Sequence, residues 1–232
     1  MALALLAAMI LGYELLGWTR DPAAAHELRT SLDDAIPFRA ASVFAYSWVY
    51  TSMLFPAFVI RSEALFRRVA TAYGLVLAVS LTCFAAWPVT SLGLRPPVDS
   101  IDASTFAGWA VRLTYRIDPP YNLFPSLHLS IATLAALCAW TARRLYGLLA
   151  MPVVAGIAVS ICTMKQHFVV DGLDAIPLAV LAWALVIRPF NRDRPPDDEV
   201  ALGWRGPAAY LAFHALFYGA AWGVFRSGLL PV

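Results

Sequence analysis

Two histidines and one aspartate are the groups in this chain whose type and spacing could do chemistry. His128 follows Pro125 by three residues in Phe124-Pro125-Ser126-Leu127-His128, and His167 precedes Asp171 by four in His167-Phe168-Val169-Val170-Asp171. Each group opens an apolar, membrane-length stretch. If the turn at His167 is helical, the spacing of four puts His167 and Asp171 on one face, where the carboxylate can hold the imidazole in one tautomer. An oriented imidazole is a usable nucleophile, and a second one that titrates near neutrality suits protonation of a leaving-group oxygen. The catalytic roles expected are therefore His167 as nucleophile, Asp171 as its partner and His128 as general acid.

The electrophile follows from what surrounds His128. Pro125 suits the first turn of a helix, so Ser126, Leu127 and His128 are expected at a helix N-terminus, whose free N–H groups and positive dipole end favour an anion. Phosphate is the natural candidate, and a phosphoryl group needs cations on its oxygens. Arg95, ahead of Pro96, and Lys165, two residues before His167, are expected on the phosphate together with Ser126 and Leu127. Arg112 and Arg116 are four apart on a possible interfacial helix with Trp109 and Tyr115, so they are candidates either for phosphate or for lipid headgroups. The same two histidines and aspartate could instead ligate zinc or iron. His26 and His214 read as solvated or hydrogen-bonded structural residues, Asp174 as a helix cap, and Asp118-Pro119-Pro120-Tyr121-Asn122 first as a rigid turn.

These groups must be held by elements that live in a bilayer. Hydrophobic residues make up 60% of the chain and charged ones 14%, with a mean hydropathy of +0.67, which excludes a water-soluble domain. The expected fold is an all-α polytopic membrane protein, a bundle of six to seven transmembrane helices. A span needs about 20 mostly apolar residues, and the expected spans are 2–18, 40–60, 69–91, 126–142, 145–163, 172–188 and 208–225. They form one transmembrane domain, 1–232, with a catalytic core over about 30–188, a cytoplasmic linker over 189–206 and an extra C-terminal helix over 207–232. Cys83, Cys138 and Cys162 all fall inside apolar runs and supply no disulfide framework. The first span lacks a basic start and carries Glu14, which argues against a cleaved signal. A formal charge of +2 without a basic tract gives no reason to expect nucleic acid.

The breaks at 61–68 and at Arg143-Arg144 are short and carry five arginines between them, as expected of cytoplasmic turns. The segments 20–39 and 90–124 mix charge signs and contain prolines, so they are expected on the opposite side. Alternation of the spans then brings His128 and His167 to one compartment, the extracytoplasmic one.

At these residues the chain resembles the type 2 phosphatidic acid phosphatase superfamily. Arg95-Pro96 matches the end of its first signature, Pro125-Ser126-Leu127-His128 its second, usually Pro-Ser-Gly-His, and His167 to Asp171 its third; the resemblance covers about 30–188, including Asp33-Asp34-Ala35-Ile36-Pro37-Phe38. It implies a phosphohistidine mechanism with the roles given above and the phosphate held by basic side chains and backbone amides; no cofactor or metal is expected. The chain departs from the pattern as well. Pro88 stands where the first signature has a lysine, and Ile161 where the third has an arginine, although Ser160 is kept. Leu127 in place of glycine, with Lys165-Gln166-His167, is more similar to the branch of inositol phosphorylceramide and sphingomyelin synthases, and makes Lys165 the first choice for the missing charge. The activity expected is a membrane-embedded lipid phosphatase of the cell membrane, or alternatively transfer of a phospho-headgroup to a lipid alcohol such as ceramide or diacylglycerol. The partners expected are a lipid phosphate, the bilayer and an acceptor alcohol, with no obligate protein partner. A competing class is a non-enzymatic lipid transporter or scaffold.

Overall fold

The computed structural model describes residues 2–19, 21–190 and 200–232, and among them the regular structure is helical, without strands. In chain order the helices are α1 (Ala2–Trp18), α2 (Ser31–Ala35), α3 (Val43–Tyr46), α4 (Val49–Ser52), α5 (Phe55–Val59), α6 (Glu63–Ala86), α7 (Phe106–Ile117), α8 (Leu127–Ala142), α9 (Arg144–Thr163), α10 (Val169–Ala182) and α11 (Arg205–Ser227). A π-helical turn over Trp183–Ile187 prolongs α10. Four of these are long and apolar enough to cross a membrane: α6, α9, α10 with its extension, and α11. The molecule is an all-helical, multi-pass membrane bundle, as its composition requires.

Helix α8 is the axis of the bundle. Most of its side chains are buried, and its alanines Ala132, Ala135, Ala136, Ala139 and Ala142 let α9 and α10 approach closely, a small-residue packing suited to lipid surroundings. Sixteen residues give α8 a length of about 24 Å, less than the roughly 30 Å hydrocarbon core. Its N-terminus can therefore end inside the protein, and that end carries His128.

Two expected spans differ in instructive ways. The stretch 40–60 is not one regular helix: α3, α4 and α5 follow one another through right-handed turns at Ser47-Trp48 and Met53-Leu54. Hydroxyls of Ser47, Thr51 and Ser52 bond back to carbonyls three residues earlier, offering the backbone an alternative to the helical ladder in a segment rich in aromatic and β-branched residues. The span expected at 69–91 is displaced to Glu63–Ala86. Ser62 caps it by accepting from Leu65 N at 3.3 Å, and Trp87 ahead of Pro88 leaves the helical region. Arg67 and Arg68 thus lie inside the helix rather than in a break.

The arginine-rich ends gather at one pole. Arg61 N and Ser62 N donate to Val200 O, Leu202 N donates to Val59 O, and Tyr146 OH donates to Leu202 O, while Arg68 reaches Val186 O. Within the expected linker 189–206, Val200 and Ala201 are buried in this seam rather than solvated; residues 191–199 lie outside those described, as do Met1 and Arg20. The opposite pole collects the N-termini of α8 and α10, the helix α7 and the C-terminal tail. Gly228, at φ +65°, ends α11 in the left-handed conformation that glycine adopts freely, and residues 229–232 then fold back along α7.

Candidate active site at the N-termini of α8 and α10

Ser126 caps α8, its side chain accepting from Leu129 N at 3.4 Å, so Pro125 lies one position before the cap rather than in the first turn. The first turn still presents the N–H groups of Leu127 and His128, which have no intrahelical acceptor. Ser126 N donates to Asp171 O at 3.0 Å, which ties the start of α8 to the start of α10. The two positive dipole ends therefore converge.

His167 precedes the helix it was expected to share with Asp171. It lies just before the N-cap Phe168, its own N–H held by Ile161 O at 3.0 Å, and Asp171 returns from the first turn of α10 to meet it: Nδ1 and Oδ2 are 3.1 Å apart. The expected pairing is present, but through an N-terminal turn. The other ring nitrogen, Nε2, is 3.0 Å from His128 Nδ1 and 3.3 Å from Ser126 Oγ. With Nδ1 protonated and donating to the carboxylate, Nε2 carries its lone pair toward Ser126 and His128. His167 is 2% exposed and Asp171 fully buried, so the pair is sealed from bulk solvent.

His128 has a carboxylate of its own, from the segment 118–122 whose sequence predicts a rigid turn. Asp118, the residue that ends α7, is buried, and its Oδ2 lies 3.5 Å from His128 Nε2. Tyr13 OH donates to Oδ1 at 2.6 Å, and Tyr46 OH donates to Oδ2 and lies 3.4 Å from His128 Nε2. Burial pushes the Asp118 carboxyl up, but His128, the two tyrosine hydroxyls and Arg95 outweigh it and hold the group below the ordinary carboxylate range. The result is a continuous line, Asp171–His167–His128–Asp118.

The expected cations divide. Arg95 is at the site: its guanidinium donates to Gln166 Oε1 and, at 3.2 Å, to Asp118 O, and it lies over the Tyr115 ring at 4.6 Å. Its Nε and the Gln166 Nε2 are buried donors without a partner, both beside the His167 loop. Gln166 drew no attention in sequence because a lone amide carries no charge signal.

Lys165 does not turn toward the two imidazoles. Its Nζ donates to Asp33 O at 2.7 Å and Ile36 O at 2.5 Å, while Asp33 Oδ1 accepts from Val169 N at 2.8 Å. Lysine and aspartate together clamp α2 onto the loop that carries His167, and the backbone of Lys165 takes a positive φ of 57° to make the turn. Arg112 and Arg116 also lie elsewhere. Arg112 donates to Ile101 O at 2.8 Å and Val232 O at 3.3 Å, and Arg116 donates to Pro231 O at 2.8 Å. Their i, i+4 face on the amphipathic α7 holds the C-terminal tail.

His26 is exposed beside Trp87, and buried His214 bonds Thr51 Oγ1 at 2.8 Å and stacks on Trp48. Asp174 is exposed. Among the described residues no three His, Cys, Asp or Glu side chains converge as metal ligands.

No curated protein and no solved structure matches the chain significantly. The profile of the PAP2 superfamily does, over residues 15–185, a range that contains every element of the line from Asp171 to Asp118 together with Arg95 and Gln166. That match spans most of the chain and shows that it belongs to the PAP2 superfamily.

Proposed function

We propose that the protein is a lipid phosphatase that cleaves a phosphate ester through a phosphohistidine intermediate. Members of the superfamily are generally phosphoesterases acting on lipid phosphates. The observation that carries the reading for this chain is the 3.0 Å approach of His128 Nδ1 to His167 Nε2, with a carboxylate behind each ring. Once substrate displaces the ring-to-ring hydrogen bond, a phosphorus atom bonded to Nε2 has its leaving oxygen within reach of His128 Nδ1, while the N–H groups of Leu127 and His128, Ser126 Oγ, Arg95 and Gln166 are the donors for the remaining oxygens. Asp171 holds the nucleophile's tautomer, and Asp118 stabilises the imidazolium that donates the proton. Because the arginine-rich pole is the cytoplasmic one by the positive-inside rule, the reaction takes place at the extracytoplasmic face of the membrane.

A second reading, transfer of the phospho-headgroup to a lipid alcohol, draws on Leu127. Where the common signature has glycine, this side chain is buried and walls the space beside His128, an apolar neighbour that disfavours water as acceptor. Purified protein given labelled phosphatidate, or a labelled phosphodiester lipid with diacylglycerol or ceramide, separates the two. Free phosphate supports hydrolysis and a new phosphodiester lipid supports transfer, whereas turnover that survives His167→Asn in both assays removes the mechanism.

A further inference from the structure

We infer that the groove bounded by α1, the α4 region and α8, which ends on His128 and Asp118, is the seat of the lipid alcohol released by the cleavage, and that Tyr50 fixes its polar end. The inference rests on the phosphohistidine reading. The groove has a volume of about 340 Å³. Its deep end is His128 with Asp118, and its walls include Val49, Met53, Leu127 and Ile131. Its lip is formed by Ile10, which is 50% exposed and, in a membrane bundle, faces lipid. A hydrocarbon chain can thus pass sideways from the bilayer to within contact of the general acid.

Charge decides which part of the substrate enters. Glu14 and Asp118 both line the groove, and its lining includes no lysine or arginine. A phosphate dianion is repelled there and held instead beside the His167 loop, where the helix N-termini and Gln166 lie and where Arg95 bonds the Gln166 amide; Arg95 also reaches Asp118 O but does not line the groove. The groove therefore takes the neutral lipid portion. In the cleavage step the His167 Nε2–P bond forms as the P–O bond to the lipid breaks, and the proton on His128 Nδ1 passes to that oxygen; the product remaining in the groove is a neutral lipid alcohol.

Two polar groups on the wall are otherwise unexplained. Tyr50 OH is buried without a hydrogen-bond partner, and Glu14, inside α1, has only the Trp18 Nε1 donor at 2.6 Å. An ionisable residue in a membrane helix calls for a function. A lipid alcohol offers an ester or amide carbonyl to accept from Tyr50 and, where it carries an amide or a second hydroxyl, a donor to Glu14.

The test compares a long-chain phosphatidate in mixed micelles with p-nitrophenyl phosphate, which has no chain to place in the groove. Ile10→Trp and Met53→Trp fill the groove, and Tyr50→Phe removes only the hydroxyl. Filling is expected to lower kcat/KM on phosphatidate at least tenfold while p-nitrophenyl phosphate hydrolysis stays within twofold of wild type. Tyr50→Phe should raise KM for the lipid about tenfold, the size of one lost hydrogen bond of about 1.4 kcal/mol. A photoactivatable diacylglycerol should label Ile10 or Met53 in the unmodified protein, so the groove stays testable if a tryptophan variant does not fold. Equal loss on both substrates, no loss on the lipid, or labelling confined to other helices overturns the inference. Absence of turnover on both substrates in the wild-type protein instead overturns the catalytic reading beneath it.

Discussion

Replacing Asp118 by Asn tests whether the second carboxylate takes part in catalysis. The carboxylate oxygen and His128 Nε2 are 3.5 Å apart in a buried setting. At an effective dielectric of about 20 that separation corresponds to a gross attraction of about 5 kcal/mol for a charged imidazolium. An amide keeps the steric fit and can still bond Tyr13 and Tyr46, and Arg95 no longer has to share its charge with the carboxylate, so we take about half of that figure as the loss. Some 2.5 kcal/mol of lost stabilisation lowers the protonated fraction of His128, and with it kcat, by up to about 10²-fold on the alkaline limb. The same energy moves the alkaline limb of the pH–rate profile down by about two pH units, because the protonated acid is what the carboxylate favours.

The sign at acid pH runs the other way. The folded-state pKa of Asp118 is lowered, so its contribution to stability is present above the unfolded value and is lost only as pH falls through the folded one. Wild type should therefore keep this anchor down to about pH 4. Steady-state kinetics of wild type and Asp118→Asn on p-nitrophenyl phosphate from pH 4 to 9, with thermal unfolding measured in the same detergent, make the comparison. A variant with wild-type kcat and an unmoved alkaline limb would refute the assignment and leave Asp118 as a tether for Tyr13 and Tyr46.

His167→Asn, whose amide can still donate to Asp171, should lower kcat at least about 10³-fold and abolish the acid-labile phosphate trapped by rapid quench, while the melting temperature stays near wild type. Gln166→Ala should weaken inhibition by orthovanadate between about tenfold and 10²-fold, the range for one hydrogen bond to a charged group; an unchanged inhibition constant would place the amide outside the anion site. Gly206→Ala should lower the melting temperature without changing KM, because a Cβ there comes within 2.2 Å of Phe58 O and overpacking costs about 1–3 kcal/mol; an unaltered melt would count against the tight seam at the arginine-rich pole.

The triad of His128, His167 and Asp171 was legible in sequence because its members are marked locally, by a proline before a helix and by a spacing of four. The bundle was legible for a similar reason, since hydropathy is read one span at a time. What escaped was set by pairing across the chain. Asp118 meets Tyr13 and Tyr46 over separations of 105 and 72 residues, and nothing near Pro119 announces either contact. The cations show the same limit from the other side. Lys165, Arg112 and Arg116 have the charge a phosphate needs, but their partners are backbone carbonyls of α2, of the loop before α7 and of the C-terminal tail, acceptors that every residue carries and no sequence pattern displays. The irregular stretch over α3 to α5 was hidden in its composition, which reads as apolar whether or not its hydroxyls bend the backbone.

A site of the proposed kind has to reconcile two carboxylates with a dianionic phosphate, and the order Asp171–His167–His128–Asp118 does so by placement. Both carboxylates lie on the outer sides of the imidazoles, His167 Nε2 and His128 Nδ1 face each other between them, and the N-termini of α8 and α10 meet beside that contact. In the proposed mechanism each imidazole can then be charged or neutral without leaving an unpaired ion in the protein: His167 would gain a phosphoryl group on Nε2 while its Nδ1 proton stays bonded to Asp171, and His128 would lose its proton while Asp118 stays paired with two tyrosines. The clamp of α2 on the His167 loop, built by Lys165 and Asp33, fits the same logic. Bonded to carbonyls of the α2 segment, the Lys165 ammonium holds His167, the proposed nucleophile, at the place where both helix ends and both imidazoles meet.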